Sequence, residues 1–446
     1  MTPAMPRTAL AWSVLLVLLL LAAETPALAQ AGVRGIDVVG YVATIRPDMQ
    51  TRSVSGTVDV HFRVVADGLT TIVLDRGELA IEDVRHDGKR LEFELLPRRL
   101  RVQLGRPFGR DTSAVVTVSY RGQPRFGMQF HPERRQVYTI FSTSQWLVCI
   151  DAPDDKATLD LTVALPAGLL AAGPGALVSE QPGGDGTVAH RWRQSRPVST
   201  FLYGFAAGPF VQLDGRHGQT SLRYLGDGQS RDDLGRIFNT TPDMLDFFAS
   251  RAGVSYPDDA YTQVLVAQTA GQEASGFSML SEAYGRALLN EPAGVSLMAH
   301  ELAHQWWGNL VTCEDWRHFW LNEGFATFMA AAYEERRFGP EAYREQIERA
   351  RQRYEEVRLK DGDKALVFAN WDRPTANDRT VVYQKGAYVL HLLRQQLGDD
   401  VFWAGIRRYT TAHAGRSVTT EDFQRSMEES SRMSLGSFFE NWVYRR

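Results

Sequence analysis

Cysteine is nearly missing: Cys149 and Cys313 are the only two in 446 residues, so no disulfide framework can carry the fold. A bond between them is allowed. Two buried free thiols is the plainer reading, because a chain of this length can build its core without covalent staples. Excess charge of either sign is missing too. Lysine plus arginine number 49 against 53 aspartate plus glutamate, a formal charge of -4. With no long basic run either, the electrostatic argument for a nucleic-acid partner is absent. Nineteen prolines and 38 glycines are ordinary usage at this length, which excludes collagen-like and disordered classes. Internal repeats and low-complexity tracts are also lacking. Peptides or small molecules are the default substrates of such a chain, and its length suggests two or three domains.

The apolar run Ala9 to Ala23 is shorter than the roughly 20 residues a membrane span needs. Arg7 precedes it, and Ala27-Leu28-Ala29 offers small residues for cleavage before Gln30. Residues 1–29 therefore read as an export signal, with an uncleaved membrane anchor as the alternative. No cysteine follows the run to take a lipid. Export would place the mature chain in the periplasm or outside the cell. No other membrane partner is expected, and the sequence does not set the oligomeric state.

From residue 30 to 214 the pattern is one of strands and turns. Gly56 to Val64, Leu91 to Leu96, Leu100 to Leu104 and Ala114 to Tyr120 alternate apolar with polar residues. Asp87-Gly88, Pro107-Phe108-Gly109 and Gly183-Gly184-Asp185-Gly186 separate them. Leu159 to Leu165 and Val198 to Phe210 are the later strands of an antiparallel β-sandwich-like domain. From 215 to 446 the period becomes helical. Helices are predicted over Thr241 to Ala252, Ser296 to Asn309 and Asn322 to Arg337. A charged surface helix follows from Glu341 to Leu359, and a last one opens at Thr419-Thr420-Glu421-Asp422. Tyr261 to Gln268 reads as a strand running toward a glycine-rich turn. The second domain is mostly helical with a few strands.

The chemistry concentrates in Met298-Ala299-His300-Glu301-Leu302-Ala303-His304. Two histidines four apart lie one turn above each other on a single helix face, so both imidazoles can reach one ion. Glu301 points about 100° away around the axis, where it can hold a water against the metal without being a ligand. A third ligand is offered by Glu323, 19 residues beyond His304, once a second helix returns beside the first. Two imidazoles and one carboxylate leave a fourth position open, the arrangement of a catalytic rather than a structural site. These donors favour zinc, one ion per chain, though cobalt or manganese could occupy the same site in vitro. A pair of ordinary core histidines is the competing reading. The carboxylates of Glu301 and Glu323 weigh against it, since buried and unpaired they would be costly.

The segments His300-Glu301-Leu302-Ala303-His304-Gln305-Trp306-Trp307-Gly308-Asn309 and Trp320-Leu321-Asn322-Glu323-Gly324-Phe325-Ala326-Thr327 resemble the zinc segments of peptidase family M1. This is the aminopeptidase-N family of gluzincin metallopeptidases, which also includes leukotriene hydrolase. Cys149-Ile150-Asp151-Ala152-Pro153 is similar to the family's Cys-x-Asp-Glu-Pro stretch, with Ala152 in place of the glutamate. The resemblance covers nearly all of residues 34 to 446, without the large C-terminal helical domain of many members. It implies a β-sandwich-like domain followed by a thermolysin-like α+β zinc peptidase domain.

The resemblance also implies roles. Val381-Val382-Tyr383-Gln384-Lys385-Gly386-Ala387 resembles the family's Tyr-x-Lys-Gly-Ala segment, whose tyrosine hydrogen-bonds the oxygen that turns negative in the tetrahedral state. Ala270-Gly271-Gln272-Glu273-Ala274 stands where the family has Gly-x-Met-Glu-Asn. Glu273 falls on the glutamate that binds a substrate's free amino group, while Ala270, Gln272 and Ala274 replace the first glycine, the methionine and the asparagine. The expectation is a zinc aminopeptidase acting on peptides with a free N-terminus, with Glu301 as general base. An endopeptidase or oligopeptidase is the alternative if the altered segment opens the end of the cleft. A non-catalytic binding or assembly protein on the same fold is the alternative from another class.

Overall fold

Strands that alternate apolar and polar residues bury one face, and the first half of the chain is built that way. The computed structural model describes residues 34–446 except 270, 370, 372 and 373, so the predicted export signal lies outside the described residues. Every second residue is inward along Lys156–Pro166, and along Ile36–Asp48 on either side of a bulge between Val38 and Gly40, which places Val38, Ile45, Leu159, Leu161 and Val163 in one core. These two strands are neighbours in an eight-stranded sheet, where Ile36–Asp48 also pairs antiparallel with Ser53–Val64. A three-stranded sheet of Leu69–Asp75, Phe93–Leu96 and Arg99–Phe108 lends Ile72, Leu74, Leu100 and Val102 to the same core, giving the sandwich.

The sandwich is antiparallel but for one pairing, and one predicted strand needs correction. Ile36–Asp48 and Lys156–Pro166 lie parallel, joined by a long connection that includes several other strands. The apolar run Val198 to Phe210 is not one strand. It ends the strand Thr187–Ser199, makes a 3₁₀ turn over Thr200–Leu202, and resumes as a strand only at Ala206–Gly208. Phe201, Leu202, Tyr203 and Phe205 are buried in succession, so no solvent face exists to impose alternation.

The second half opens with a five-stranded sheet in the order Val211–His217, Thr220–Gly226, Ala260–Val266, Phe277–Ser281, Gly271–Ala274. The edge strand Gly271–Ala274 runs antiparallel to Phe277–Ser281 and packs against the helix Ser296–Ala303. That helix is followed by a long buried one, Trp320–Phe338, and by Pro340–Leu359 and Gly386–Leu397, which pack in turn on Trp320–Phe338. Thr241–Ala252 forms as predicted, with Pro242 in its first turn and Gly253 closing it at φ 70°. Thr419 caps Thr420–Ser431 in a capping box with Asp422. This helix is not the last, since Gly436–Phe439 and a π turn over Glu440–Tyr444 follow it.

The two halves are tied by buried polar contacts. Ala267 N donates to Gln136 Oε1 (2.9 Å), Ser275 N to Leu202 O (3.0 Å) and Lys156 Nζ to Thr312 Oγ1 (2.7 Å). Cys149 and Cys313 are both free and buried, in separate cores. Among the described residues no helix is long and apolar enough to cross a membrane.

Candidate active site

His300 lies within the helix Ser296–Ala303, and His304 caps it with its backbone still helical (φ −56°, ψ −25°). Their Nε2 atoms stand 3.0 Å apart, and each is 3.3 Å from Glu323 Oε2. Glu323 comes from the first turn of Trp320–Phe338, which returns beside the first helix as the spacing requires. Glu323 Oε2 is buried and has no hydrogen-bond partner. An orphaned carboxylate oxygen facing two imidazole nitrogens is expensive unless a cation lies between them. Ligand bonds of about 2.0–2.1 Å from a tetrahedral zinc separate the donors by roughly 3.3 Å. The three donors therefore fit one zinc ion.

The rings are held from behind. His304 Nδ1 lies 3.0 Å from Trp307 O, and because a carbonyl can only accept, Nδ1 is the donor there and Nε2 is the nitrogen left facing Glu323 and His300. Thr327 Oγ1 lies 3.4 Å from His300 Nδ1. Burial opposes protonation of His304, but the carboxylates of Glu323, Glu273 and Glu301 outweigh it and hold the imidazole up at about 10. Burial likewise works against the Glu323 carboxylate, and the two histidines overcome it, holding that group down to about 2. Both directions describe a pocket that attracts positive charge.

Glu301 is 5% exposed and stands apart from the triad. Its carboxylate groups instead with Glu273 and His304, their ligand-type atoms all within 4.8 Å of one another. Burial first, then the facing Glu273, pushes the Glu301 carboxyl well above its usual value. Gly271 runs directly beneath it, and a Cβ on Gly271 would come 1.9 Å from Glu301 Oε1. Glu273, expected in a glycine-rich turn, lies in the edge strand Gly271–Ala274 and is 3% exposed. Gln272 Nε2 donates to Glu273 Oε2 (2.7 Å), while Glu273 Oε1 is buried without a partner. Gln272 Oε1 in turn accepts from Phe141 N (3.1 Å), at a turn where Phe141 and Ser142 both take left-handed backbone (φ 38° and 41°). The β half thus reaches the site, and Phe141 lines the same cavity of about 470 Å³ as the triad, Glu273 and Tyr383.

Tyr383 sits in a π turn, Val381–Lys385, between Ala376–Thr380 and Gly386–Leu397. One extra residue per turn re-aims a side chain out of the regular helical path, and such turns recur at functional sites. Here the ring lies parallel to His300, with centroids 5.8 Å apart and planes 9° apart. Lys385 is buried beneath the turn, donating to Asp363 Oδ1 (3.0 Å) and to Lys364 O (2.7 Å).

The turn can approach Glu323 this closely because Gly386 meets Gly324. A Cβ on Gly324 would stand 2.9 Å from Gly386 Cα and 3.2 Å from Val382 O. Helix propensity alone says that Gly324→Ala should stabilise by about 1 kcal/mol. We expect the opposite sign, a loss of about 1–3 kcal/mol from overpacking, read by denaturant unfolding. A stabilised variant would show that the glycine pair does not set this approach.

All six residues singled out from the sequence come to one cavity. Sequence reasoning missed Thr327, which lies four residues after Glu323 on the same helix face, so that spacing was a usable signal. It also missed Phe141 and the role of Gln272, whose contact joins residues 131 apart, with no local signal.

Residues 39–202 match the peptidase M1 N-terminal domain, and 236–442 match the peptidase family M1 domain. Aminopeptidase M1 of Arabidopsis thaliana is 25% identical over 90% of this chain and 49% of its own length. Leucine aminopeptidase 2 of Ajellomyces capsulatus is 26% identical over 84% of this chain and 64% of its own length. The chain thus spans about half to two thirds of the curated relatives it matches. The M1 zinc metallopeptidase of Deinococcus radiodurans, solved with a Tyr-Ser-Ala substrate bound, shares the fold. Its TM-score is 0.79 at 24% identity, covering 92% of this chain and 94% of that one. Two domain matches in the family's order, the second over the half that carries the His300-His304-Glu323 site, leave one conclusion: the chain belongs to peptidase family M1.

Proposed function

We propose that the protein is a zinc aminopeptidase that removes the first residue of peptides with a free N-terminus. One observation carries this reading: the buried, unpartnered Glu273 Oε1 in the same cavity as the triad. A substrate ammonium would give that oxygen the partner it lacks, and would fix the first peptide bond beside the metal ligands. Zinc held by His300, His304 and Glu323 would acidify a water and polarise the scissile carbonyl. Glu301 takes the proton released as that water attacks and delivers it to the leaving amine. The Tyr383 hydroxyl donates a hydrogen bond to the carbonyl oxygen as it gains negative charge. The metallopeptidase from Deinococcus radiodurans, seen with a short peptide, supports peptides as the substrate class. Against an endopeptidase stands the buried Glu273, tied through Gln272 to Phe141, which lines the same cavity. For its location we propose export, on the pattern of residues 1–29.

The test is Glu273→Gln, assayed on free-amino peptides beside their N-acetylated forms. For free-amino substrates KM rises and kcat/KM falls at least about tenfold, or about 1.4 kcal/mol. Residual cleavage of N-blocked peptides hardly changes. Equal losses on both substrate types would make Glu273 a structural or metal-supporting residue. No loss on either would remove amine recognition altogether.

A further inference from the structure

The helix Pro340–Leu359, expected to be a surface helix, forms one wall of the cavity through Gln346, Ile347, Arg349, Ala350 and Arg353. These positions recur at three and four residues, so they share a face. The helix carries five arginines, and four of them pair with a glutamate three or four residues earlier. Arg344 pairs with Glu341, Arg349 with Glu345, Arg351 with Glu348 and Arg358 with Glu355. Arg353 is the exception, because Arg349 and Ala350 occupy the positions where its glutamate would stand. Among the described residues it has neither an ion pair nor a hydrogen bond, and it is exposed. Arg349 is held only loosely, at 3.8 Å from Glu345. Like charges four apart on a helix repel by roughly 0.2–0.5 kcal/mol. Here the two cations face a cavity whose floor is lined by the carboxylates of Glu273, Glu301 and Glu323.

Charge is therefore divided along the cleft. The carboxyl of Glu273 lies on the edge strand, which packs on the helix bearing His300. Beyond that helix come Trp320–Phe338 with Glu323, and then Pro340–Leu359 with the arginines. A short peptide has the matching division, an ammonium at one end and a carboxylate at the other. Extended chain advances about 3.3 Å per residue, so two residues beyond the scissile carbonyl span about 7 Å. That is comparable to the 8–10 Å between packed helix axes, with a long arginine side chain reaching back. Guanidinium groups suit a carboxylate because their N–H groups can bind both of its oxygens.

We propose that Arg353, assisted by Arg349, binds the C-terminal carboxylate of the substrate, making the enzyme selective for peptides of about three residues. The inference rests on the aminopeptidase reading. The test uses trialanine and trialanine amide, which differ only in the terminal carboxylate, beside alanine p-nitroanilide, which has none. The wild-type protein is expected to favour the free acid over the amide by about tenfold or more in kcat/KM, mostly through KM. Arg353→Ala brings the acid-to-amide ratio near one, Arg353→Lys restores part of it, and Arg349→Ala lowers it. A wild-type ratio of one would overturn the proposal, as would a full ratio surviving in Arg353→Ala. In either case, cleavage of alanine p-nitroanilide leaves the aminopeptidase reading standing. Failure to cleave all three substrates would overturn that reading and this proposal with it.

Discussion

Replacing Glu301 with glutamine is expected to lower kcat by about a thousandfold while zinc remains at one ion per chain. The reason is the division of carboxylates in the site. Glu323 meets both imidazole nitrogens at 3.3 Å, whereas Glu301 lies outside that triad, grouped with Glu273 and His304. Glutamine fills the same space and leaves the three donors untouched, but it cannot take a proton. Burial and the facing Glu273 hold the Glu301 carboxyl well above its usual value, so it binds a proton more readily than a solvent-exposed carboxylate does. The measurement pairs steady-state kcat with elemental analysis of the purified variant. Wild-type turnover at unchanged zinc content would sink the general-base assignment. Loss of zinc would instead show that Glu301 supports the metal.

The second large effect is expected from Tyr383→Phe, a fall of about a hundredfold in kcat with little change in KM. Tyr383 is half-buried, and desolvation first, then Glu323, Glu273 and Glu301, pushes its pKa well above the usual value. It therefore keeps its proton and can donate a hydrogen bond throughout the reaction. Its ring is fixed against His300 and by the π turn, neither of which needs the hydroxyl. Phenylalanine keeps that packing, so melting temperature should not move. A drop in kcat together with lost stability would point to a structural role. An increase confined to KM would point to ground-state binding.

The alternation of the first half and the pairing of His300 with His304 were legible because both follow from local period. Glu323 could be placed because a returning helix needs only a loop of sufficient length. The exact end of the first metal helix was not legible. Beyond Ala303 the bonding tightens to Gln305 N→Leu302 O and Trp306 N→Ala303 O, and the helix stops short of the predicted Asn309. Gln305 is drawn out of the helical pattern by partners distant in sequence, accepting from Gly276 N and donating to Ala274 O. In Pro340–Leu359 the ion pairs marked a helix with a solvent face, as found. They carried no sign of its other face, where Ile347 and Ala350 are buried against the cavity. The Phe141 turn gave no signal, since its partner Gln272 belongs to the other half of the chain.

The contacts between the halves bear on the order in which the protein is made. Synthesis delivers the β half first, and domains fold as they emerge. Until the second half arrives, Lys156 has no Thr312, Leu202 O has no Ser275, and Phe201 has no Trp316 ring at 5.1 Å. The nascent first half therefore presents, for as long as translation lasts, a face whose polar and apolar groups are both unmatched. That face is covered only when the second half of the chain folds against it.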